Sequence, residues 1–248
     1  MNVKITPCNL KGEVTIPPSK SAAHRLLICA ALSEEESYIK PKCTSDDIKA
    51  TISCLKSLGA NIEQTDNGYI ISKGKTIRNA ELDFVESGST ARFLMPIAAA
   101  LGTEATMTGK GRLPSRPMAP LTKVLRENGV SASSDNLPIT IKGKLQGGEY
   151  SLAGNISSQY ISGLLFAAPL LKEKSTITLT SPLESTGYVD MTIDAMKTFG
   201  VEVETGQQFF KIKPTKYRGT NEIIEGDWSQ AAFFMSAAAI GSEITISG

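Results

Sequence analysis

The chain has 248 residues, 26 Lys and Arg against 25 Asp and Glu, and a net charge of +1. That length can bury one large domain, or one domain and part of another, and a near-neutral chain with few aromatics and no basic run argues against a nucleic-acid partner. No stretch reaches the roughly 18 uninterrupted apolar residues of a membrane span, and the N-terminus lacks a basic segment followed by an apolar one, so neither a span nor a signal peptide is expected.

Short strands come first, over 3–5 (Val3-Lys4-Ile5) and 14–16 (Val14-Thr15-Ile16). Pro17-Pro18-Ser19-Lys20-Ser21 then leads into a helix over 22–32, where Leu26, Leu27, Ala30 and Ala31 follow Ala23 at the spacing of one buried face. Ser19 suits an N-cap. Lys20 and Arg25 beside the free N–H groups of a helix start read either as an anion site for phosphate or carboxylate, or as two solvated cations on a capped helix. A strand at Tyr38-Ile39-Lys40 precedes a helix running to Leu58, with Thr44 as its N-cap and Asp47 three residues on, the pattern of a capping box. Gly59 ends that helix, and Thr65-Asp66-Asn67-Gly68 turns a hairpin.

The same script returns. Glu86-Ser87-Gly88-Ser89-Thr90-Ala91-Arg92 opens a helix from Ser89, followed by a strand over 105–108, a helix over 117–128, Gly129, and strands around Ser134-Asp135-Asn136. A third pass gives a helix over 158–172 after Gly154-Asn155-Ile156-Ser157, a strand over 176–179, a helix over 188–199, Gly200, and strands over 201–204 and 209–212. Glu225-Gly226-Asp227-Trp228-Ser229-Gln230 opens a fourth, which supplies a helix over 231–240 and a strand over 243–246. Ser19, Ser89, Ser158 and Ser229 are 70, 69 and 71 residues apart, and Gly59, Gly129 and Gly200 are 70 and 71 apart. A fixed period of this kind is an internal repeat, a βαβαββ unit present three times. The fourth copy stops halfway and leaves an amphipathic helix without a partner, so the chain is expected to be a piece of a longer protein.

Equivalent helices of a pseudo-threefold lobe that point their starts to one end would gather dipoles and free N–H groups on one surface, which suits a polyanion. Arg112 and Arg116 flank Leu113-Pro114-Ser115; two guanidiniums on a proline-stiffened turn read as a carboxylate or phosphate clamp, or as solvated loop arginines. Ser185 and Tyr188 offer hydroxyls to a polar ligand, or serve as a cap and a core-edge tyrosine. The phosphate-loop pattern G-x-x-x-x-G-K-[ST] does not occur, which argues against a nucleotide triphosphatase. Cys8, Cys29, Cys43 and Cys54 show no metal or C-x-x-C spacing and read as reduced thiols of a cytoplasmic protein. His24, the lone histidine, has no second histidine with which to hold a metal and is expected to be structural or at the surface.

These motifs together carry a resemblance. Pro18-Ser19-Lys20-Ser21 with Arg25, Ser87-Gly88-Ser89-Thr90-Ala91-Arg92, Gly109-Lys110-Gly111-Arg112 leading to Arg116-Pro117, Ser157-Ser158-Gln159, Ser185 with Tyr188-Val189-Asp190, and Gly226-Asp227 occur in the order found in the EPSP synthase (3-phosphoshikimate 1-carboxyvinyltransferase) family, which the chain resembles along almost its whole length. The resemblance implies an α/β (α+β) fold of two lobes, each of three βαβαββ units in pseudo-threefold arrangement, helices inside and sheets outside. The first lobe would occupy 14–226, with units at about 14–75, 76–145 and 146–214, and 1–13 and 227–248 would belong to an incomplete second lobe. It also implies the ligands. Lys20 touches both shikimate 3-phosphate and phosphoenolpyruvate; Ser21, Arg25, Ser157, Ser158, Ser185 and Tyr188 hold shikimate 3-phosphate; Gly88 and Arg116 meet phosphoenolpyruvate; Gln159 stands where the two substrates join.

The implied reaction adds the 5-hydroxyl of shikimate 3-phosphate to C2 of phosphoenolpyruvate with protonation at C3, and the tetrahedral intermediate then loses phosphate. Lys20 is the one proton-handling group expected here, with no metal or cofactor, and a cytoplasmic monomer is expected. The family's acidic base, Lys-Glu pair and further arginines belong to the absent lobe, so this piece alone is expected to bind weakly and turn over nothing. Glu86-Ser87 and Phe93 stand where many members carry Asn-Ala and Pro; both lie beside the implied phosphoenolpyruvate pocket and bear on binding of anionic analogues such as glyphosate. Two other readings are a UDP-N-acetylglucosamine enolpyruvyltransferase, whose Lys-Asn pair and loop Cys are lacking here, and a non-catalytic lobe that captures phosphorylated metabolites.

Overall fold

The computed structural model describes every residue except Met1, Asn2, Ile5 and Pro7. In chain order the first stretch is β1 (Lys11–Thr15), α1 (Lys20–Leu32), β2 (Ser37–Lys40), α2 (Asp46–Ser57), β3 (Asn61–Gln64) and β4 (Tyr69–Ser72). The second is β5 (Asn79–Asp83), α3 (Gly88–Leu101), β6 (Glu104–Thr108), α4 (Ala119–Glu127), β7 (Val130–Ala132) and β8 (Ile139–Gly143). The third is β9 (Glu149–Leu152), α5 (Ser158–Ala167), β10 (Ser175–Leu179), α6 (Thr186–Thr198), β11 (Val203–Thr205) and β12 (Phe209–Ile212), after which come β13 (Asn221–Ile223), α7 (Trp228–Ala239) and β14 (Glu243–Ser247). Of the strand expected over 3–5, Ile5 lies outside the described residues and Val3 and Lys4 are not in a strand.

Local chemistry sets the helix starts. Ser19 Oγ accepts from the Ala22 N–H at 3.3 Å, Ser45 Oγ from Ile48 at 3.4 Å and Ser87 Oγ from Thr90 at 3.2 Å. The α2 cap is therefore Ser45, not Thr44, and α3 begins at Gly88 ahead of the expected Ser89. In both places two hydroxyls stand close together in sequence, and the one on extended backbone becomes the cap. Gly59, Gly129 and Gly200 take φ of 106°, 90° and 79°, as helix-ending positions require. Prolines trim the expected bounds: α4 opens at Ala119 with Pro120 in its first turn, and α5 passes at Ala168–Leu170 into a 3-10 turn around Pro169. The third unit's outer helix, α6, starts two residues earlier than expected, at Thr186.

Each unit lays its strands into one four-stranded mixed sheet, β5-β6-β8-β7 in the second and β11-β12-β10-β9 in the third. The opening strands that the βαβαββ unit implies, without placing them, are β5 and β9; they run parallel to β6 and β10 across the intervening helix. The first unit's sheet, β13-β2-β4-β3, is closed by a strand from far along the chain, with Asn221 in register with Tyr38. The strand expected over 14–16 does not open that unit: β1 ends at Thr15 and pairs in parallel with β14, Lys11 beside Glu243. Backbone bonds from Ile16 to Ser247 at 2.7 Å and from Ser19 to Glu225 at 2.8 Å hold the two crossing segments side by side, which leaves β2 to find its parallel neighbour in β13.

The inner helices α1, α3 and α5 are buried along nearly their whole length because small and apolar residues occupy almost every face. With the outer helices α2 and α6 they pack in the order α1–α2–α3–α5–α6–α1, a closed ring in which α3 and α5 meet directly, with the sheets outside. Strand faces alternate accordingly; in β6, Ala105 and Met107 point to the core and Thr106 and Thr108 to solvent. The α3–α5 contact is closest at Gly163, where a Cβ would stand 2.2 Å from the Arg92 carbonyl oxygen. Pro96, four residues after Arg92, has no N–H to engage that carbonyl, so α5 can press against it. Outside this ring α7 leaves Trp228, Phe233 and Met235 exposed, as is Ile240 just after it. Among the described residues no helix is long and apolar enough to cross a membrane.

Candidate active site

Helices α1, α3, α5 and α6 bring their N-terminal ends to one open cleft of about 540 Å³, whose remaining wall is the segment at Arg116 and Pro117. Lys20, Ser21, Arg25, Arg116, Ser157, Ser158, Gln159, Ser185 and Tyr188 all line it. Gly88, the first residue of α3, lies directly behind: a Cβ there would come within 2.5 Å of Arg116 Nη1 and 2.9 Å of Arg92 Nη1. The fold thus brings the residues that the family resemblance implies for the site to one place.

Arg25 forms the floor. Arg25 is 3% exposed and has no carboxylate partner among the described residues; Nε donates to Thr192 Oγ1 at 2.9 Å, Nη1 to the Ser21 carbonyl at 2.7 Å and Nη2 to the Tyr188 carbonyl at 2.7 Å. The charge also lies 5.3 Å from the Phe93 ring centre and 6.0 Å from that of Tyr188. Burial brings its pKa down to about 10, so it stays cationic at neutral pH. Phe93 is accordingly more than a core filler, since it packs between the Arg25 guanidinium, the edge of His24 and Phe166.

Lys20 is half exposed, and its Nζ lies 2.8 Å from Asp47 Oδ2. An exposed pair of this kind contributes at most about 1 kcal/mol and yields readily to a doubly charged ligand. Ser157 Oγ accepts from the Gln159 N–H at 3.3 Å and caps α5. Ser185 precedes α6 with φ 57° and ψ 46°, and its side chain makes no capping bond. Among the described residues only Ser185 and Val85 (φ 53°) are non-glycine residues at positive φ, and each stands just before a helix that opens on the cleft.

Sequence reasoning missed Arg92, Ser89 and Tyr160. Arg92, 5% exposed, donates from Nη1 to Gln159 Oε1 at 2.6 Å; Gln159 Nε2 in turn donates to Ser89 Oγ at 2.9 Å; and the guanidinium sits 5.5 Å from the Tyr160 ring centre. Burial lowers the Arg92 pKa, and Arg116 lowers it further. The one available signal was an arginine inside an otherwise apolar helix. The two-arginine clamp does not form. Arg112 is exposed, its N–H donating to Glu86 Oε1 at 3.3 Å, and the 3-10 turn Leu113–Ser115, anchored by buried Leu113, turns only Arg116 into the cleft. Among the described residues the lining holds four cations, Lys20, Arg25, Arg92 and Arg116, and no Asp or Glu.

Fold and cleft together define an α/β lobe in which helix starts and four cations converge on one cleft, an arrangement whose chemistry suits a small, multiply charged anion. The profile of the family described as EPSP synthase (3-phosphoshikimate 1-carboxyvinyltransferase) matches residues 5–248, and the chain belongs to that family. The 3-phosphoshikimate 1-carboxyvinyltransferase of Clostridium perfringens is 47% identical over 249 residues, a match covering 98% of this chain and 59% of the relative. That of Clostridium acetobutylicum is 46% identical over 252 residues, with the same two coverages. An EPSP synthase from Acinetobacter baumannii solved at 2.37 Å superposes with a TM-score of 0.82 at 28% identity, covering 96% of this chain and 55% of that one. The chain spans 59% of the length of the curated relatives it matches.

Proposed function

We propose that this chain forms the first lobe of a cytoplasmic enzyme that transfers the enolpyruvyl group of phosphoenolpyruvate to the 5-hydroxyl of shikimate 3-phosphate and releases phosphate. In this reading the lobe is 14–226, and 1–13 with 227–248 begin a second lobe that closes over the cleft of a monomer. The observation that carries the proposal is the cleft lining, with four cations, a set of serine hydroxyls and no carboxylate among the described residues. The exposed apolar face of α7, with Trp228 and Phe233, supports a further lobe in contact with it.

The chemistry follows from where the groups sit. Ser21, Arg25, Ser157, Ser158 and Ser185 receive the shikimate phosphate, each charge-assisted bond contributing about 1.5–3 kcal/mol, while Tyr188 lies along the ring. Gly88, with no side chain between, leaves its backbone free to approach phosphoenolpyruvate, Arg116 binds its charge, and Gln159, already oriented by Arg92 and Ser89, stands between the substrates. Lys20 leaves Asp47 when the anions arrive and becomes the proton-handling group at the junction. The 5-hydroxyl gives up its proton and adds to C2 of phosphoenolpyruvate as C3 gains a proton. The tetrahedral intermediate then loses a proton from C3 as the bond from C2 to the phosphate oxygen breaks, which re-forms the double bond and releases phosphate, while lobe closure excludes water.

The test supplies the missing lobe in trans and measures phosphate release. Recovery of turnover that Lys20→Ala abolishes supports the proposal. Tight shikimate 3-phosphate binding without any recovery supports a lobe that only captures phosphometabolites.

A further inference from the structure

Behind the cleft, the N-terminal parts of α1, α2 and α3 are joined by a line of buried polar side chains that the proposed chemistry leaves unused. His24 Nδ1 lies 2.8 Å from Thr51 Oγ1, Thr51 Oγ1 lies 2.7 Å from Thr90 Oγ1, and Thr90 Oγ1 lies 2.6 Å from Ser87 Oγ. None of the four is more than 1% exposed. Thr51 Oγ1 also reaches the Asp47 carbonyl at 3.1 Å. One end of the line is therefore the cap of α3, immediately before Gly88, and its middle touches the residue that holds Lys20.

Proton supply orders this line. Thr90 donates to the Ser87 hydroxyl, and Thr51 passes its single proton onward, to Thr90 or to the Asp47 carbonyl. Thr51 then has no proton for His24 and must accept one from Nδ1–H. The opposite tautomer would put the proton on Nε2, which is buried with no partner among the described residues. An orphaned buried N–H is rarer than a bare acceptor lone pair, so the Nδ1–H form is the one this pocket accepts.

We infer that His24 is a positioning residue: as an Nδ1–H donor it heads a hydrogen-bond line through Thr51 and Thr90 that sets Ser87, Gly88 and the Asp47–Lys20 pair to receive phosphoenolpyruvate, an inference that rests on the function proposed above. The surroundings agree. Burial takes the imidazole pKa down to about 3; Asp47 on α2 opposes this, Lys20 and Arg25 on α1 reinforce it, and α3 meets the ring with the edge-on Phe93 at 6.2 Å. His24 accordingly holds geometry and carries no proton in turnover.

Because the chain has one histidine, imidazole ¹⁵N spectra read His24 alone. The expected result is a neutral ring protonated on Nδ1 from pH 5 to pH 8; an Nε2–H tautomer, or a titration near the ordinary value of 6.5, overturns the inference whatever the function. The second arm uses the full-length protein. Thr51→Val and His24→Gln, whose amide cannot stand at Nδ1, should raise the KM for phosphoenolpyruvate about threefold to tenfold with kcat kept, the scale of one lost hydrogen bond. Thr51→Ser and His24→Asn, which keep a hydroxyl and an amide at the right height, should restore it, and the KM for shikimate 3-phosphate should move less than about twofold. Equal losses for both substrates, or no rescue by the conservative variants, overturn the positioning role. Lys20→Ala run in parallel tests the functional reading separately, since normal turnover there defeats that reading and leaves the tautomer result standing.

Discussion

Gly88→Ala isolates the link between the start of α3 and the arginine that faces phosphoenolpyruvate. A Cβ built on Gly88 would lie 2.5 Å from Arg116 Nη1, 3.1 Å from Arg116 Cζ and 2.9 Å from Arg92 Nη1. Helix α3 cannot retreat, because Ser87 caps it at 1% exposure and Ala91 and Thr90 are fully buried behind. Arg116 is exposed and held on a short turn, so its guanidinium gives way, by about 1 Å, a displacement that costs as much as about 100-fold at a reacting centre. The residues assigned to shikimate 3-phosphate on α5 and α6 lie outside this contact. Affinity for phosphoenolpyruvate should fall roughly tenfold to 100-fold while that for shikimate 3-phosphate barely changes, measured by titrating each into the chain and as KM values once the second lobe completes the site. Equal loss for both ligands, or unchanged phosphoenolpyruvate affinity, would refute the assignment of Arg116.

Stability should depend on pH through His24. Its folded pKa of about 3 lies below the ordinary 6.5, so its contribution is complete above 6.5 and is lost as pH falls from 6.5 toward 3; between pH 8 and pH 5 the loss is about 2 kcal/mol. Urea melts across that window should show the slope, and His24→Asn should flatten it. Gly163→Ala forces a methyl to within 2.2 Å of the Arg92 carbonyl and should destabilise by about 1–3 kcal/mol, lowering Tm by roughly 2–12 °C, whereas Gly187→Ala, with nothing within 4 Å, should be neutral or slightly stabilising. Asp47→Asn frees Lys20 from its 2.8 Å partner and should tighten binding of inorganic phosphate about twofold to fivefold with little change in stability; weaker phosphate binding would show that the pair pre-positions the lysine.

What the sequence made legible is the chemistry that acts within a few residues. Ser19 as a cap and Gly59, Gly129 and Gly200 as helix ends are set by local backbone demands, and their spacing revealed the repeat before any contact was known. Ambiguity entered where adjacent residues could do the same job, as at Thr44 and Ser45, which both carry a hydroxyl and between which only the backbone angles decide. Long-range pairings were not legible. Nothing local to Asn221–Ile223 says that it completes a sheet begun at Ser37, and β1 reads equally well as the opening strand of its own unit. At the cleft, residue types were visible but their wiring was not: Arg92, Gln159 and Ser89 meet across α3 and α5 because Gly163 lets those helices approach. Arg112 misled because proline stiffness reads from sequence while the direction of a turn is set by buried Leu113.

The account stands on one surface where helix starts and four clustered cations hold a phosphorylated acid. Backbone amide shifts during titration of shikimate 3-phosphate into the chain test that surface directly. Saturable shifts confined to the starts of α1, α5 and α6, at Ser21, Arg25, Ser157, Ser158 and Ser185, are the predicted result. Shifts on the outer sheet faces, or none at millimolar ligand, would contradict it.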